Sequence, residues 1–153
     1  MAEYELPNVM IEKLKNKFPN IEIHEGQDIL VSLEDLVPFM TEIKGNPDYA
    51  MDFLTSLTAS DYPDGFEMVY HLVSLNHCYT MTVKAKVTDK ENPEVPSLCP
   101  LWGGAHWQER EVYDLLGIVF TGYPDHPSRI FLNDDFDGYP LRKDFQWVGG
   151  RES

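Results

Sequence analysis

The chain has 153 residues and a mass of 17.6 kDa, with 42% hydrophobic and 25% charged residues, and 26 acids against 12 Lys and Arg leave a net charge of −14. A single domain of this size buries roughly 68–70% of its unfolded surface, so a core forms without staples, and global disorder and collagen-like repeats are excluded. The acidic excess repels phosphate backbones and anionic lipid surfaces, which removes nucleic acid and lipid headgroups from the general partners.

In chain order, Asn8 is placed to cap a first helix whose buried face carries Ile11, Leu14 and Phe18, and Pro19 and Asn20 end it. Residues 21–24 and 29–33 read as short strands around a Glu25-Gly26 turn. A second helix carries Leu36, Met40 and Ile43 and ends at Gly45. Proline lacks the N–H a helix interior needs, so this helix is expected to start near Glu34 or Asp35, with Pro38 in its first turn.

Three longer strands follow, over residues 51–59, 66–75 and 79–87, the first two separated by a turn at 61–65. The last alternates cleanly, Tyr79, Met81, Val83, Ala85 and Val87 on one face and Thr80, Thr82, Lys84 and Lys86 on the other. The short link Asn76-His77-Cys78 predicts an antiparallel hairpin. The fold class is therefore α+β: a two-layer domain, a mixed sheet of about five strands packed by helices, over residues 1–120.

Beyond Asp89 the composition shifts. Six of the eleven prolines, all three tryptophans and all four arginines lie there. Residues 1–76 carry a charge of −10 and residues 77–153 only −4. Arginine and aromatic residues are enriched where proteins meet, because they combine large contact area with planar hydrogen bonding. A helix over 105–116, stopped by Gly117, is the one regular element the pattern predicts here. Residues 121–153 read as an extended, partner-binding C-terminal arm.

Cys78 and Cys99 cannot make a disulfide framework and fit a reducing compartment, a single bridge between them being the alternative. No secretory signal is expected from the N-terminal residues. The longest apolar run covers only residues 115–120, against the roughly 20 residues a spanning helix needs.

Candidate chemistry is sparse. Asn133, Asp135, Asp137, Gly138 and Asp144 fall at calcium-loop spacing, yet the first ligand is Asn, the last is the shorter Asp and Pro140 interrupts. A solvated acidic turn is the better reading. His106 and Glu109 stand i, i+3 without a second such pair, so a metal is not expected. Glu109, Arg110, Glu111 and Asp114 make a charged cluster in which Arg110 and Asp114 share a face at i, i+4, while Glu111 points about 100° away. Such clusters more often hold elements or subunits together than catalyse. No nucleophile elbow, phosphate loop or dinucleotide fingerprint is present.

The block Trp107-Gln-Glu-Arg-Glu-Val-Tyr-Asp-Leu-Leu-Gly-Ile118, followed by Pro140-Leu-Arg-Lys-Asp-Phe145, closely resembles the signature of the 30 kDa (C-type) subunit of NADH:quinone oxidoreductase, respiratory complex I. Val95-Pro-Ser97, Asp61-Tyr62 and Tyr70-His71-Leu72 extend the likeness over most of residues 50–146. The resemblance implies a structural and assembly subunit with no catalytic residue, cofactor or metal of its own. FMN, iron–sulfur clusters and quinone are expected in partner subunits of this proton-translocating complex. The implied partners are the large quinone-site (49 kDa-type) subunit and its neighbours in the hydrophilic arm, at the cytoplasmic side of the cell membrane, with no direct membrane insertion.

Candidate interface residues are Glu109, Arg110, Glu111 and Asp114, with Arg129, Arg142 and Lys143 as the basic side and Asp144 beside them. One departure stands out: residues 122–130 are one residue longer than the family's G-H-P-x-x-R-R-I, with Tyr123 at the histidine's place. Related subunits occur in membrane-bound [NiFe] hydrogenases and other complex I-related dehydrogenases, which is the alternative assignment.

Overall fold

The computed structural model describes residues 6–24, 28–122 and 138–142. Element α1 (Asn8–Lys17) buries Ile11 and Leu14, and α2 (Leu33–Gly45) buries Leu36, Phe39, Met40 and Ile43. Between them lie the two-residue strands β1 (Glu22–Ile23) and β2 (Ile29–Leu30). Three long strands follow: β3 (Phe53–Tyr62), β4 (Gly65–Ser74) and β5 (Tyr79–Val87). Then come β6 (Glu94–Pro96), α3 (Ala105–Leu116) and β7 (Val119–Thr121).

The main sheet has the order β1-β2-β5-β4-β3. It is mixed, because β2 runs parallel to β5 while the other neighbours are antiparallel. Phe66, Met68, Tyr70 and Leu72 of β4 and Met81, Val83, Ala85 and Val87 of β5 point to one face, where they share a core with the buried residues of α1 and α2. Phe18 and Phe39 join the two helices edge to face at 5.4 Å. The expected α+β sheet domain is thus observed.

Several boundaries differ from expectation, each for a local reason. Asn8 is the first residue of α1, and Pro7 holds the cap position. Helix α2 starts at Leu33, because Ser32 supplies the cap and its Oγ accepts from the Asp35 N–H at 3.2 Å. Pro38 consequently sits one or two residues deeper than predicted, in the second turn of the helix instead of the first. Met51 belongs to no strand: its N–H donates to the Ile43 carbonyl and its own carbonyl accepts from Trp102 Nε1. At the other end β3 continues to Tyr62, since only Pro63 and Asp64 separate it from β4. Gly65 serves that turn with a φ of +150°, and a Cβ there would lie 2.2 Å from the Val87 carbonyl oxygen. The predicted turn at Glu25 and Gly26 lies outside the described residues.

The parallel pair β6–β7 was not anticipated. It brackets α3, making a small β-α-β unit beside the main sheet.

Candidate interface on the third helix

Helix α3 has the bounds its pattern predicts. Ala105, Glu109, Val112 and Leu116 recur at helical spacing on the buried side, and Gly117 ends the helix at φ +81° with its N–H on the Tyr113 carbonyl at 2.8 Å. Two side chains fix where the helix sits. Trp102 Nε1 donates to the Met51 carbonyl at 3.1 Å just before the helix begins. Gln108 Oε1 accepts the Leu57 N–H of edge strand β3 at 2.6 Å, satisfying a backbone donor that an uncovered edge would present.

Glu109 is the centre of this arrangement. It is 1% exposed, and its carboxylate accepts from Ser97 Oγ at 2.7 Å, the Leu98 N–H at 2.8 Å and Cys99 Sγ at 3.4 Å. Ser97 Oγ in turn accepts the Cys99 N–H at 3.1 Å. The residue therefore ties α3 to the segment leaving β6. Burial pushes the Glu109 carboxyl above its ordinary range, against the pull of the Leu98, Ser97 and Cys99 donors. Burial likewise raises the Cys99 thiol, and the neighbouring carboxylate adds to it. Both Cys78 and Cys99 are free thiols.

The other candidate residues divide. Asp114 is fully buried, Arg110 is half-buried with its guanidinium 5.1 Å from the Trp107 ring centroid, and Glu111 is exposed. Arg142 packs within the chain. Its Nε donates to the Leu116 carbonyl at 2.5 Å, and its guanidinium lies 5.0 Å from the Tyr139 ring and 5.2 Å from Phe66. A cation there complements the negative end of the α3 dipole. The Leu141 N–H donates to the Leu115 carbonyl at 2.9 Å, so residues 138–142 lie along the end of α3. Arg129, Lys143 and Asp144 lie outside the described residues, as does most of the acidic segment 133–144.

Sequence reasoning missed the ion pair of Asp61 with Lys90. The Asp61 carboxylate is buried and accepts from Lys90 Nζ at 2.5 Å, which also donates to the Tyr62 carbonyl at 3.1 Å. It missed Trp107 as a surface feature too: this side chain is 57% exposed, rare for the largest aromatic. Among the described residues no group of His, Cys, Asp and Glu could hold a metal ion, and no helix is long and apolar enough to cross a membrane.

Helix α3 thus carries a buried carboxylate clamp on its inner side and an exposed tryptophan with a stacked arginine away from it. Residues 29–151 match the family model described as the respiratory-chain NADH dehydrogenase 30 kDa subunit. The chain is 45% identical over 141 residues to the NADH-quinone oxidoreductase C subunit of Moorella thermoacetica, covering 89% of this chain and 93% of that one. It is 42% identical over 127 residues to the mitochondrial NADH-ubiquinone oxidoreductase 30.4 kDa subunit of Neurospora crassa, covering 81% of this chain but 44% of that one. The NADH-quinone oxidoreductase C/D subunit of Phocaeicola vulgatus is 50% identical over 96 residues, which are 62% of this chain and 18% of that one. In fold, the chain matches a solved chain of the membrane-bound sulfane sulfur reductase, an archaeal respiratory membrane complex, with a TM-score of 0.78 at 24% identity over 92% of this chain and 86% of the other. With the matched segment spanning β2 to beyond α3, including the Glu109 clamp, the chain belongs to the family of the 30 kDa subunit of respiratory-chain NADH dehydrogenase.

Proposed function

We propose that this chain is a structural and assembly subunit of a proton-translocating NADH:quinone oxidoreductase, and that it carries no active site. It docks on the large quinone-site subunit in the peripheral arm, on the cytoplasmic side of the membrane. FMN, iron–sulfur clusters and quinone belong to the partner subunits. The observation that carries the reading is the use of the signature helix: Glu109 is spent on internal hydrogen bonds to residues 97–99, which leaves it no access to a substrate. The name of the Phocaeicola relative supports the choice of partner, since it joins C to D in one long chain of which the match is a small part.

Affinity purification of the intact assembly, with its subunits identified by mass, tests this. The expected result is a large D-type subunit together with flavin- and NADH-binding chains. A large subunit with four nickel-ligating cysteines and no NADH-binding chain would instead place it in a hydrogenase-type complex.

A further inference from the structure

Three side chains on the outer side of α3, two exposed and Leu115 half-buried, form a stripe that Leu141 extends past the helix end. Trp107, Glu111 and Leu115 follow one another at i, i+4, i+8, which brings them to one face of the helix. Leu141 extends it, because its N–H is bound to the Leu115 carbonyl. Trp107 and Leu141 are 57% and 60% exposed, and Glu111 between them is exposed as well. Arg110 stacks on Trp107 and stiffens it. Alongside runs a shallow groove of about 130 Å³, lined by Leu57 and Ala59 of β3, by Val112 and Leu116 of α3, and by Leu141.

The chemistry of the stripe defines its counterpart. Tryptophan and arginine are enriched among the residues that carry binding energy at interfaces, leucines beside a groove add apolar area to be buried, and a carboxylate between them attracts a cation. On a chain of net charge −14, a basic partner segment is also drawn by the overall field. We infer that the stripe Trp107-Glu111-Leu115-Leu141 is the surface on which the D-type subunit docks, through a segment with apolar residues at its two ends and a Lys or Arg in the middle. This rests on the proposed function for the identity of the partner. It adds which side of the signature helix faces that partner: the outer one, opposite the Glu109 clamp.

The test is site-specific photo-cross-linking in the assembled complex. A photo-reactive phenylalanine analogue replaces Trp107 or Glu111, with Leu75 at the far β4–β5 turn, 63% exposed, as the comparison position. Cross-linking of the D-type chain from positions 107 and 111, and not from 75, is expected. In parallel, Trp107→Ala should weaken association of the purified subunits roughly thirtyfold, as for a binding hot spot, with an unchanged melting temperature. A cross-link from 107 to this chain itself or to another subunit would overturn the inference. So would unaltered association of Trp107→Ala, or cross-linking to the D-type chain from position 75 alone, although the latter would leave the proposed function standing. If the subunits do not associate at all, the proposed function fails first and the inference with it.

Discussion

The Glu109 side chain concentrates the physics of this fold in one group. Its carboxylate is removed from water and held by donors from residues 97–99. Glu109→Ala leaves the buried Leu98 N–H and Ser97 hydroxyl without their acceptor, and should destabilise the fold by about 2–4 kcal/mol in chemical denaturation. Glu109→Gln keeps one acceptor oxygen and should cost less. The pH dependence has a definite sign. Because burial raises the folded carboxyl above its ordinary value of 4.5, the folded state holds this proton more tightly than the unfolded chain does. The associated stability is fully present below 4.5 and is lost as pH rises through the folded value. The Leu98, Ser97 and Cys99 donors and the nearby His106 oppose the effect of burial on this carboxyl. The stability of the wild type minus that of E109Q should therefore fall as pH rises above 4.5, in parallel urea titrations across pH. A difference that grows with pH would contradict this account of the clamp.

At the scale of elements, Gly117 joins the end of α3 to what lies beyond it. Its left-handed φ of +81° disfavours any side chain, and a Cβ there would meet the Tyr139 ring and Arg142 Nη2 at 2.7 Å. Gly117→Ala should lower stability by about 1–3 kcal/mol, from the backbone conformation and the displaced residues. Hydrogen exchange at the Leu141 amide, bound to the Leu115 carbonyl, should accelerate in that variant. Helix α3 was legible because twelve residues repeat their apolar spacing and a glycine closes them. Strand β5 was legible from its alternation, down to its last residue. The pair β6–β7 was not, since three-residue strands have no period to read and Pro96 argues against one of them. Met51 looked like a strand residue because it is apolar, whereas a tryptophan fifty-one positions later decides its place.

The same limit applies to the candidate site. The E-R-E-x-x-D block was recognisable as a unit, yet the inward turn of Glu109 depends on residues 97–99 folding back on the helix, a contact that spacing within the helix cannot show. Glu109 and Asp114 turn inward, Glu111 turns outward and Arg110 lies between, stacked on an exposed Trp107.

For the whole molecule, an acidic chain folds into a sheet domain that carries the signature helix of the 30 kDa subunit family. On the proposed reading, the chain holds an assembly together. The most direct test combines two readings on one variant. In cells whose own copy is replaced by Arg110→Ala, the amount of intact complex and the NADH:quinone turnover per intact complex are measured separately. A reduced amount of complex, with unchanged turnover in what does assemble, is the expected result. A normal amount of complex with turnover abolished would contradict it.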